Sequence, residues 1–190
     1  MRSKYHDPVL DTVLSVLGEL DPASIQTKLQ LQRPDVRIRD PSTNTITGST
    51  RSDVPDLISL HATLASSGTF SYMYRRGQPF PGTPSLAWTI NCEFAELRLV
   101  SPSGTNFEPR ADDPPLTIQV HWFDTNEVEE VPWQWNSQQA ELPVPARNVF
   151  STLLAFANGN EPGNGWVSIE DAAGRARTIE GFFKQWDESH

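Results

Sequence analysis

Residues 71–104, SYMYRRGQPFPGTPSLAWTINCEFAELRLVSPSG, decide the fold of this chain. Their pattern predicts a strand, a loop, a second strand, a turn and a third strand, because strand-forming residues lie on both sides of a Pro/Gly segment. The loop, residues 77–84, holds three prolines and two glycines. That composition indicates a rigid connection between strands, not a flexible linker.

The alternating pattern continues on both sides of this stretch, with helices at the two ends of the chain. Asp7 and Pro8 predict a helix start and Gly18 its end, and two further helices are predicted from Pro145 and Ser168. Strands are predicted at residues 25–31, 56–65, 69–76, 86–92, 95–101, 116–122 and 128–135, with a short hairpin within 34–53. The fold class is therefore α+β, an open, mainly antiparallel β-sheet with helices packed on one face, in a single domain of residues 1–190.

Charge and hydropathy exclude several classes of partner. The net charge of −9 repels a nucleic-acid backbone, and the densest basic group, Arg33, Arg37 and Arg39, is diluted by Asp35 and Asp40. No stretch approaches the ~20 apolar residues of a membrane span, and the N-terminal segment is typical of a capped helix, not of a signal peptide. We expect a cytoplasmic protein that binds neither nucleic acid nor membrane.

The single cysteine, Cys92, cannot form an intramolecular disulfide, which is typical of a reducing compartment. Its neighbours Ile90 and Phe94 predict a strand, and we expect Cys92 to be a buried structural thiol. The four histidines show no metal-ligand spacing such as His-x-x-x-His, so no metal site is expected.

Two segments carry a resemblance to a known family. They are the first helix, with Asp11 followed by Leu-Gly-Glu at residues 17–19, and the loop at residues 74–84 with Trp88 after it. In these segments the chain resembles the C-terminal half of the Gfo/Idh/MocA oxidoreductases, in particular a fungal, galactose-repressor-like branch. The resemblance implies an open-sheet scaffold and a homodimer formed through the open sheet face.

The residues that perform redox chemistry in that family are missing from this sequence. The family's first helix carries His-x-x-Asp; Asp11 fits the aspartate, but Pro8 occupies the histidine position. The Glu-Lys-Pro motif of the family's catalytic lysine is absent, and the nearest glycine-rich segment, residues 163–168, follows a helix instead of a first strand. The resemblance thus implies a substrate-domain scaffold without its Rossmann domain, and no cofactor is expected.

The open face of the predicted sheet supplies the catalytic candidates. Strict alternation places six polar side chains there: Lys28, His61, Arg75, Asn91, Gln119 and His121. Histidine titrates near neutral pH, so such a face can hold a general acid–base site; a polar dimer interface and simple solvation stay open as alternatives. The catalytic candidates are His61 and His121, together with Asp11 from the family motif, for which a structural role also stays open.

The substrate-binding candidates are mostly aromatic. Ligand pockets are largely apolar with a few convergent polar groups, and an arginine can bind a carboxylate. The alternative is that these aromatic residues fill the core and that the loop is only a rigid strand connection. The candidates are Tyr74, Arg75, Phe80, Trp88, Trp133 and Trp135.

Three functions are compatible with this pattern. The first is a cofactor-free, non-redox enzyme, a cyclase, isomerase or lyase, that acts on a small apolar intermediate of fungal natural-product biosynthesis; a pericyclic cyclisation belongs to this class. The second is a non-enzymatic regulatory module that binds a ligand or a protein. The third is a subunit of an NAD(P)-dependent oxidoreductase whose cofactor is supplied by another chain.

Overall fold

The computed structural model describes residues 8–40, 42–77, 80–102, 114–161 and 166–189. Within it the chain forms two compact units, each described by itself below. The first unit comprises Met1–Gln78 and Ile169–His190, and the second unit comprises Pro79–Ser168. That residues 1–190 form a single domain stays a prediction.

The first unit contains five strands, two α-helices and a short 3-10 helix. A three-stranded antiparallel sheet has the order β1-β4-β5, and β2 and β3 pair as a separate antiparallel hairpin. The elements are α1 (Pro8–Leu17), the 3-10 helix (Pro22–Ser24), β1 (Gln26–Gln30), β2 (Asp35–Arg39), β3 (Ile46–Arg51), β4 (Leu57–Thr63), β5 (Thr69–Arg75) and α4 (Ile169–Ser189).

The two faces of the three-stranded sheet differ because side chains alternate along each strand. Leu60, Ala62 and Phe70 lie on the buried face, whereas His61 and Ser71 lie on the open face. Helix α4 packs against β1. The buried apolar side chains of this unit are Leu10, Val13, Leu14, Leu20, Leu60, Ala62, Leu64, Phe70, Ile179, Phe182 and Trp186.

The end of α1 is fixed by backbone geometry and by an ion pair. Gly18 has φ +87°, a left-handed conformation that glycine adopts at helix ends without steric cost. Its neighbour Glu19 accepts hydrogen bonds from Nε and Nη2 of Arg175 on α4, at 2.8 and 2.6 Å. The Leu-Gly-Glu segment that carries part of the family resemblance therefore ties α1 to α4.

The second unit is built on a four-stranded antiparallel sheet of order β6-β7-β8-β9. Two helices follow it along the chain. The elements are β6 (Leu86–Asn91), β7 (Ala95–Ser101), β8 (Thr117–Trp122), β9 (Val128–Glu130), α2 (Ser137–Ala140) and α3 (Val144–Ala157). Among its described residues, the buried side chains are Ala95, Ser101 and Val120.

The predicted fold class is confirmed: the chain is α+β with open, antiparallel sheet structure. The strand predicted at residues 128–135 is shorter than expected, because β9 ends at Glu130 and Pro132 cannot donate to a ladder. Helix α2 was missed. It begins after Asn136, which forms a reciprocal capping box with Gln139.

The prediction that Cys92 is a buried structural thiol is wrong. Cys92 is exposed, because it stands in the tight turn between β6 and β7. Its backbone N–H donates to the carbonyl of Ala95 at 2.9 Å and closes that turn.

Candidate functional site

His61 lies on the open face of the three-stranded sheet, as predicted. The strand register sets Gln26, His61 and Ser71 side by side across β1, β4 and β5. The His61 Nδ1 and the Ser71 hydroxyl are 3.0 Å apart and share a hydrogen bond. Both side chains are exposed, so this Ser–His pair stands in water and no wall excludes solvent from it.

Two more of the predicted polar residues share this open face with His61. Lys28 stands opposite Ser59, and Arg75 stands opposite Leu57. Met73, which is 75% exposed, lies on the same face opposite Ser59, on the edge strand β5. The face is therefore mostly polar, with Met73 and Leu57 as its large apolar side chains.

His121 lies on β8, in the four-stranded sheet of the second unit. It stands opposite Glu96 on β7 and opposite Val128 on β9. The face it shares also carries Asn91 and Gln119, since residues directly opposite on antiparallel strands point to the same side. His121 is half-buried, which makes it more sheltered than His61.

The orientation of the His121 ring is fixed by two neighbours. Its Nε2 lies 2.9 Å from Oδ1 of Asn126 in the β8–β9 turn, and the edge of its ring meets the Phe123 ring at 5.6 Å between centroids. Because an amide oxygen only accepts hydrogen bonds, Nε2 is the donor. In the neutral ring the hydrogen therefore sits on Nε2, and Nδ1 carries the lone pair of a base.

The third catalytic candidate, Asp11, belongs to α1, but its side chain lies outside the described residues. His61 belongs to the first unit and His121 to the second, so each histidine has its own set of neighbours. The single polar face predicted from alternation is thus divided between two sheets: Lys28, His61 and Arg75 share one, and Asn91, Gln119 and His121 share the other.

The predicted substrate-binding residues are spread over several environments. Tyr74 projects from β5 to the side opposite Arg75, because adjacent strand residues alternate. Phe80 is exposed in the loop before β6. Trp88 stands opposite Leu99 on the apolar face of the second sheet and is half-buried. Tyr74 and Trp88 therefore lie, each within its own sheet, on the face opposite to the histidine.

Trp133 and Trp135 do come together, in the segment after β9. Their rings meet edge to face with 5.1 Å between centroids and 67° between planes. The Arg147 guanidinium of α3 lies over the Trp135 ring, 5.4 Å from its centroid. We call Trp133, Trp135 and Arg147 the tryptophan cluster.

Local structure holds the tryptophan cluster in place. Nε of Arg147 donates to the Leu142 carbonyl at 3.0 Å, and Nη2 donates to the Ala140 carbonyl at 3.2 Å. Gln139 of α2 donates to the Ser151 hydroxyl of α3. These bonds pin α2 against α3 and set Arg147 above the indole.

The Trp135 indole N–H is buried and has no hydrogen-bond partner among the described residues. Most buried polar groups in proteins are hydrogen-bonded, and each exception calls for a physical explanation. The tryptophan cluster thus combines aromatic surface, a cation and an unused donor.

The sequence analysis did not select several residues of these sites, although the sequence holds a signal for some of them. In a hairpin, paired positions have a constant sum, so a turn centred near Ser66 pairs His61 with Ser71. The turn after β8 likewise brings Asn126 back toward His121. Arg147 had no such signal, because its contact with Trp135 depends on how α3 folds back.

A buried carboxylate in the first unit has a structural role. Asp56 is 6% exposed and accepts from the backbone N–H groups of Gln32 and Arg33 at 2.7 and 3.0 Å. Its own N–H donates to the Gln30 carbonyl, and its carbonyl accepts from Arg76. Asp56 therefore fixes the chain where it leaves β1.

A second carboxylate organises the turn of the β2–β3 hairpin. Asp40 accepts from the hydroxyl and the backbone N–H of Ser42 and from the N–H of Thr43. The Ser42 hydroxyl, followed by the two backbone donors, lowers the pKa of this carboxyl group below its usual value. Asp40 thus remains ionised at neutral pH and stabilises the turn.

Within the described part of the chain, no three histidine, cysteine, aspartate or glutamate side chains are grouped as a metal ion would require. None of the helices described is both long enough and apolar enough to cross a membrane.

Comparison with known proteins identifies the fold. No family model and no curated protein matches the sequence. Solved structures do match, and they include the transcriptional regulator Gal80p from Kluyveromyces lactis, with a TM-score of 0.68 and 13% identity over 95% of this chain. This chain shares its fold with part of Gal80p.

Two super-repressor mutants of Gal80p from Saccharomyces cerevisiae match in the same way. Their TM-scores are 0.69 and 0.64, with 14% and 15% identity over 96% and 93% of this chain. This chain spans less than half of each Gal80p chain, 42–46%. At these identities the comparison shows the fold alone.

Proposed function

We propose that this chain is a cofactor-free, non-redox enzyme, a cyclase, isomerase or lyase, acting on a small apolar intermediate in fungal natural-product biosynthesis. The Gal80p-like fold supports the resemblance to the C-terminal domain of the Gfo/Idh/MocA family. Pro8 stands where that family has its proton-transferring histidine, so redox chemistry of the family type is not part of the proposal.

The observation that carries the proposal is the geometry of His121. Its Nε2 donates to Asn126, so Nδ1 is left as the base in a half-buried position. A positioned imidazole contributes about 10²–10⁴-fold to a proton transfer. His121 is therefore our candidate for the general base, and His61, exposed on the other sheet, is the weaker candidate.

The reaction that this base supports needs no electron acceptor. Nδ1 of His121 takes a proton from a C–H bond beside a carbonyl of the substrate, and the C–H electron pair forms a new C=C bond as the carbonyl π pair moves to oxygen and gives an enolate. The imidazolium then returns the proton at another carbon, which gives an isomer, or protonates a leaving group that the enolate expels, which gives an elimination. Where the product is a polyene, a pericyclic ring closure follows without further proton transfer.

A gene deletion in the source organism supplies the test. We expect a compound to accumulate in the deletion strain, and purified protein to convert it, without NAD(P)H, into a product of equal mass or of mass reduced by a small leaving group. His121→Gln is expected to slow this conversion by about 10²–10⁴-fold, whereas His61→Gln, the matched change at the weaker candidate, is expected to have a smaller effect. No conversion, or conversion only with NAD(P)H, contradicts the proposal.

We also propose that the chain is a cytoplasmic homodimer that associates through an open sheet face. The exposed Met73 on the open face of the three-stranded sheet supports this contact surface. Met73→Glu should produce a monomer in analytical ultracentrifugation, since a charge in an interface core is strongly unfavourable. A wild-type chain that sediments as a monomer excludes the dimer.

A regulatory module that binds a ligand or a protein is the second candidate. Val149, Leu153 and Phe156 are spaced on α3 so that they share one side of the helix, and all three are exposed. Apolar patches of this kind mark interaction sites. A module of this type retains its partner binding when His61 and His121 are both replaced, whereas the proposed enzyme loses its activity.

An oxidoreductase subunit, the third candidate, is distinguished by NAD(P)H binding to the chain alone or with a Rossmann-domain partner.

A further inference from the structure

The unused N–H group of Trp135 is the starting point. An unsatisfied buried donor is destabilising relative to a bonded one, because it has lost water without gaining a partner. Within the residues described, Nε1 of Trp135 is nonetheless buried and lacks a hydrogen-bond partner. A bound molecule that supplies the missing bond is one explanation for a polar group in that state.

Several hydrogen-bond acceptors in the neighbouring segments already accept from other donors. The Ala140 and Leu142 carbonyls accept from Arg147, and Oδ1 of Asn136 accepts from the Gln139 N–H. The indole is also held between Trp133 at its edge and Arg147 over its face. Both ring contacts favour the present orientation of the indole, in which its N–H has no partner among the described residues.

We propose that the tryptophan cluster is a small-molecule binding site in which the Trp135 N–H donates to a carbonyl or carboxylate oxygen of an apolar ligand. The inference rests on the proposed function, which requires a small apolar substrate, and it adds the position and chemistry of that substrate's oxygen.

The chemistry of the cluster selects this class of ligand. An indole N–H only donates, so the ligand atom must be an acceptor. The Arg147 guanidinium beside the ring favours an oxygen with full or partial negative charge. Trp133, which is 42% exposed, offers aromatic surface to an apolar body. A cationic ligand is disfavoured by Arg147.

The test uses the full chain and the indole N–H signals of its six tryptophans in ¹H–¹⁵N NMR spectra. Trp135→Phe keeps an aromatic ring, removes the donor and identifies the Trp135 signal. The probes are 2-naphthoate and 2-acetylnaphthalene, which carry an acceptor oxygen, and 2-methylnaphthalene, which has the same rings and no acceptor. Circular dichroism checks that Trp135→Phe is folded.

The expected result is a shift of the Trp135 signal on addition of either acceptor probe. The signal of Trp186, in the core of the first unit, should not move. Loss of one hydrogen bond predicts about tenfold weaker binding both for 2-methylnaphthalene to the wild type and for 2-naphthoate to Trp135→Phe. If Trp135→Phe unfolds, the wild-type comparison of the three probes decides alone.

Two outcomes overturn the inference. One is a Trp135 signal that stays unchanged at probe concentrations that saturate other tryptophan signals or the solubility limit. The other is equal affinity of the wild type for all three naphthalenes. Failure here is distinguishable from failure of the enzyme proposal: conversion of the accumulated compound with a silent Trp135 removes only the binding site, and a responding Trp135 without conversion removes only the enzyme.

Discussion

The two units of this chain differ in how many of their apolar residues are buried. In the first unit, residues from α1, β4, β5 and α4 are buried together, and Leu60 is 1% exposed. Among the described residues of the second unit few side chains are buried, while large apolar groups such as Phe80, Leu153 and Phe156 are exposed.

This difference assigns separate roles to the units. A buried core contributes most of the free energy of folding, so the first unit is the scaffold. Exposed apolar surface and an unused buried donor are features of binding surfaces, so in the proposed function the second unit is the working part. The oriented histidine His121 and the tryptophan cluster both belong to this second unit.

The largest expected effect on stability comes from a comparison of a buried and an exposed leucine. Leu60→Ala removes side-chain carbons from the core of the first unit and should lower the free energy of unfolding by about 2–5 kcal/mol. Leu153→Ala, the matched change at a position that is 61% exposed on α3, should change it by about 0.5 kcal/mol or less. Urea denaturation measures both. Equal losses would mean that α3 carries a core of its own.

Asp56 tests whether the first unit also depends on a polar contact. Asp56→Ala leaves the N–H groups of Gln32 and Arg33 without their acceptor and should cost about 1.5–3 kcal/mol. Asp56→Asn keeps one acceptor oxygen and should lose less. Asp53→Ala, an exposed neighbour, is the control for the same denaturation experiment. A neutral Asp56→Ala would place the β1–β2 connection outside the cooperative scaffold.

Gly77 tests the end of the first unit's sheet. It has φ +119°, and a Cβ there would stand 2.7 Å from Nη1 of Arg33. The Arg33 side chain can move away, but the backbone strain remains, so Gly77→Ala should cost about 1–3 kcal/mol. Gly48→Ala, where nothing lies within 4 Å, controls for the loss of glycine. If thermal unfolding finds the two variants equally stable, the strain argument fails.

The smallest effect concerns the ion pair that ties α1 to α4. Glu19→Gln should lower stability by about 0.5–1 kcal/mol, since Glu19 is partly exposed although Arg175 is nearly covered. Glu180 is an exposed glutamate on α4, the helix that carries Arg175, and Glu180→Gln is the control. The deficit should shrink in 1 M salt, where the Debye length is about 3 Å. A deficit that is independent of salt would indicate packing, not charge.

Much of the fold could be predicted from the sequence because alternation and turn residues are local signals. The strands β1, β4 to β8 and the helices α1, α3 and α4 lie within a few residues of their predicted positions. Alternation also placed His61, His121 and Arg75 on open faces. It could not say that these faces belong to different sheets, because the pairing partner of a strand is not a local property.

The site was less predictable, for a physical reason. Trp133 and Trp135 were selected as aromatic residues on one side of a strand, and the structure instead holds them in an irregular segment after β9. The Arg147 contact and the buried, unused N–H depend on how α2 and α3 fold back. Cys92 was misjudged because a turn, not a strand interior, takes up its backbone.

Native-state hydrogen exchange, resolved by residue, tests the scaffold and working-part assignment most directly. Backbone amides of β4 and β5 should exchange only through global unfolding, whereas those of α3 should exchange through local opening at a clearly lower free energy. Addition of 2-naphthoate should slow exchange in α3 and leave β4 unchanged. Protection of α3 equal to that of β4 in the free chain would contradict the division of roles between the two units.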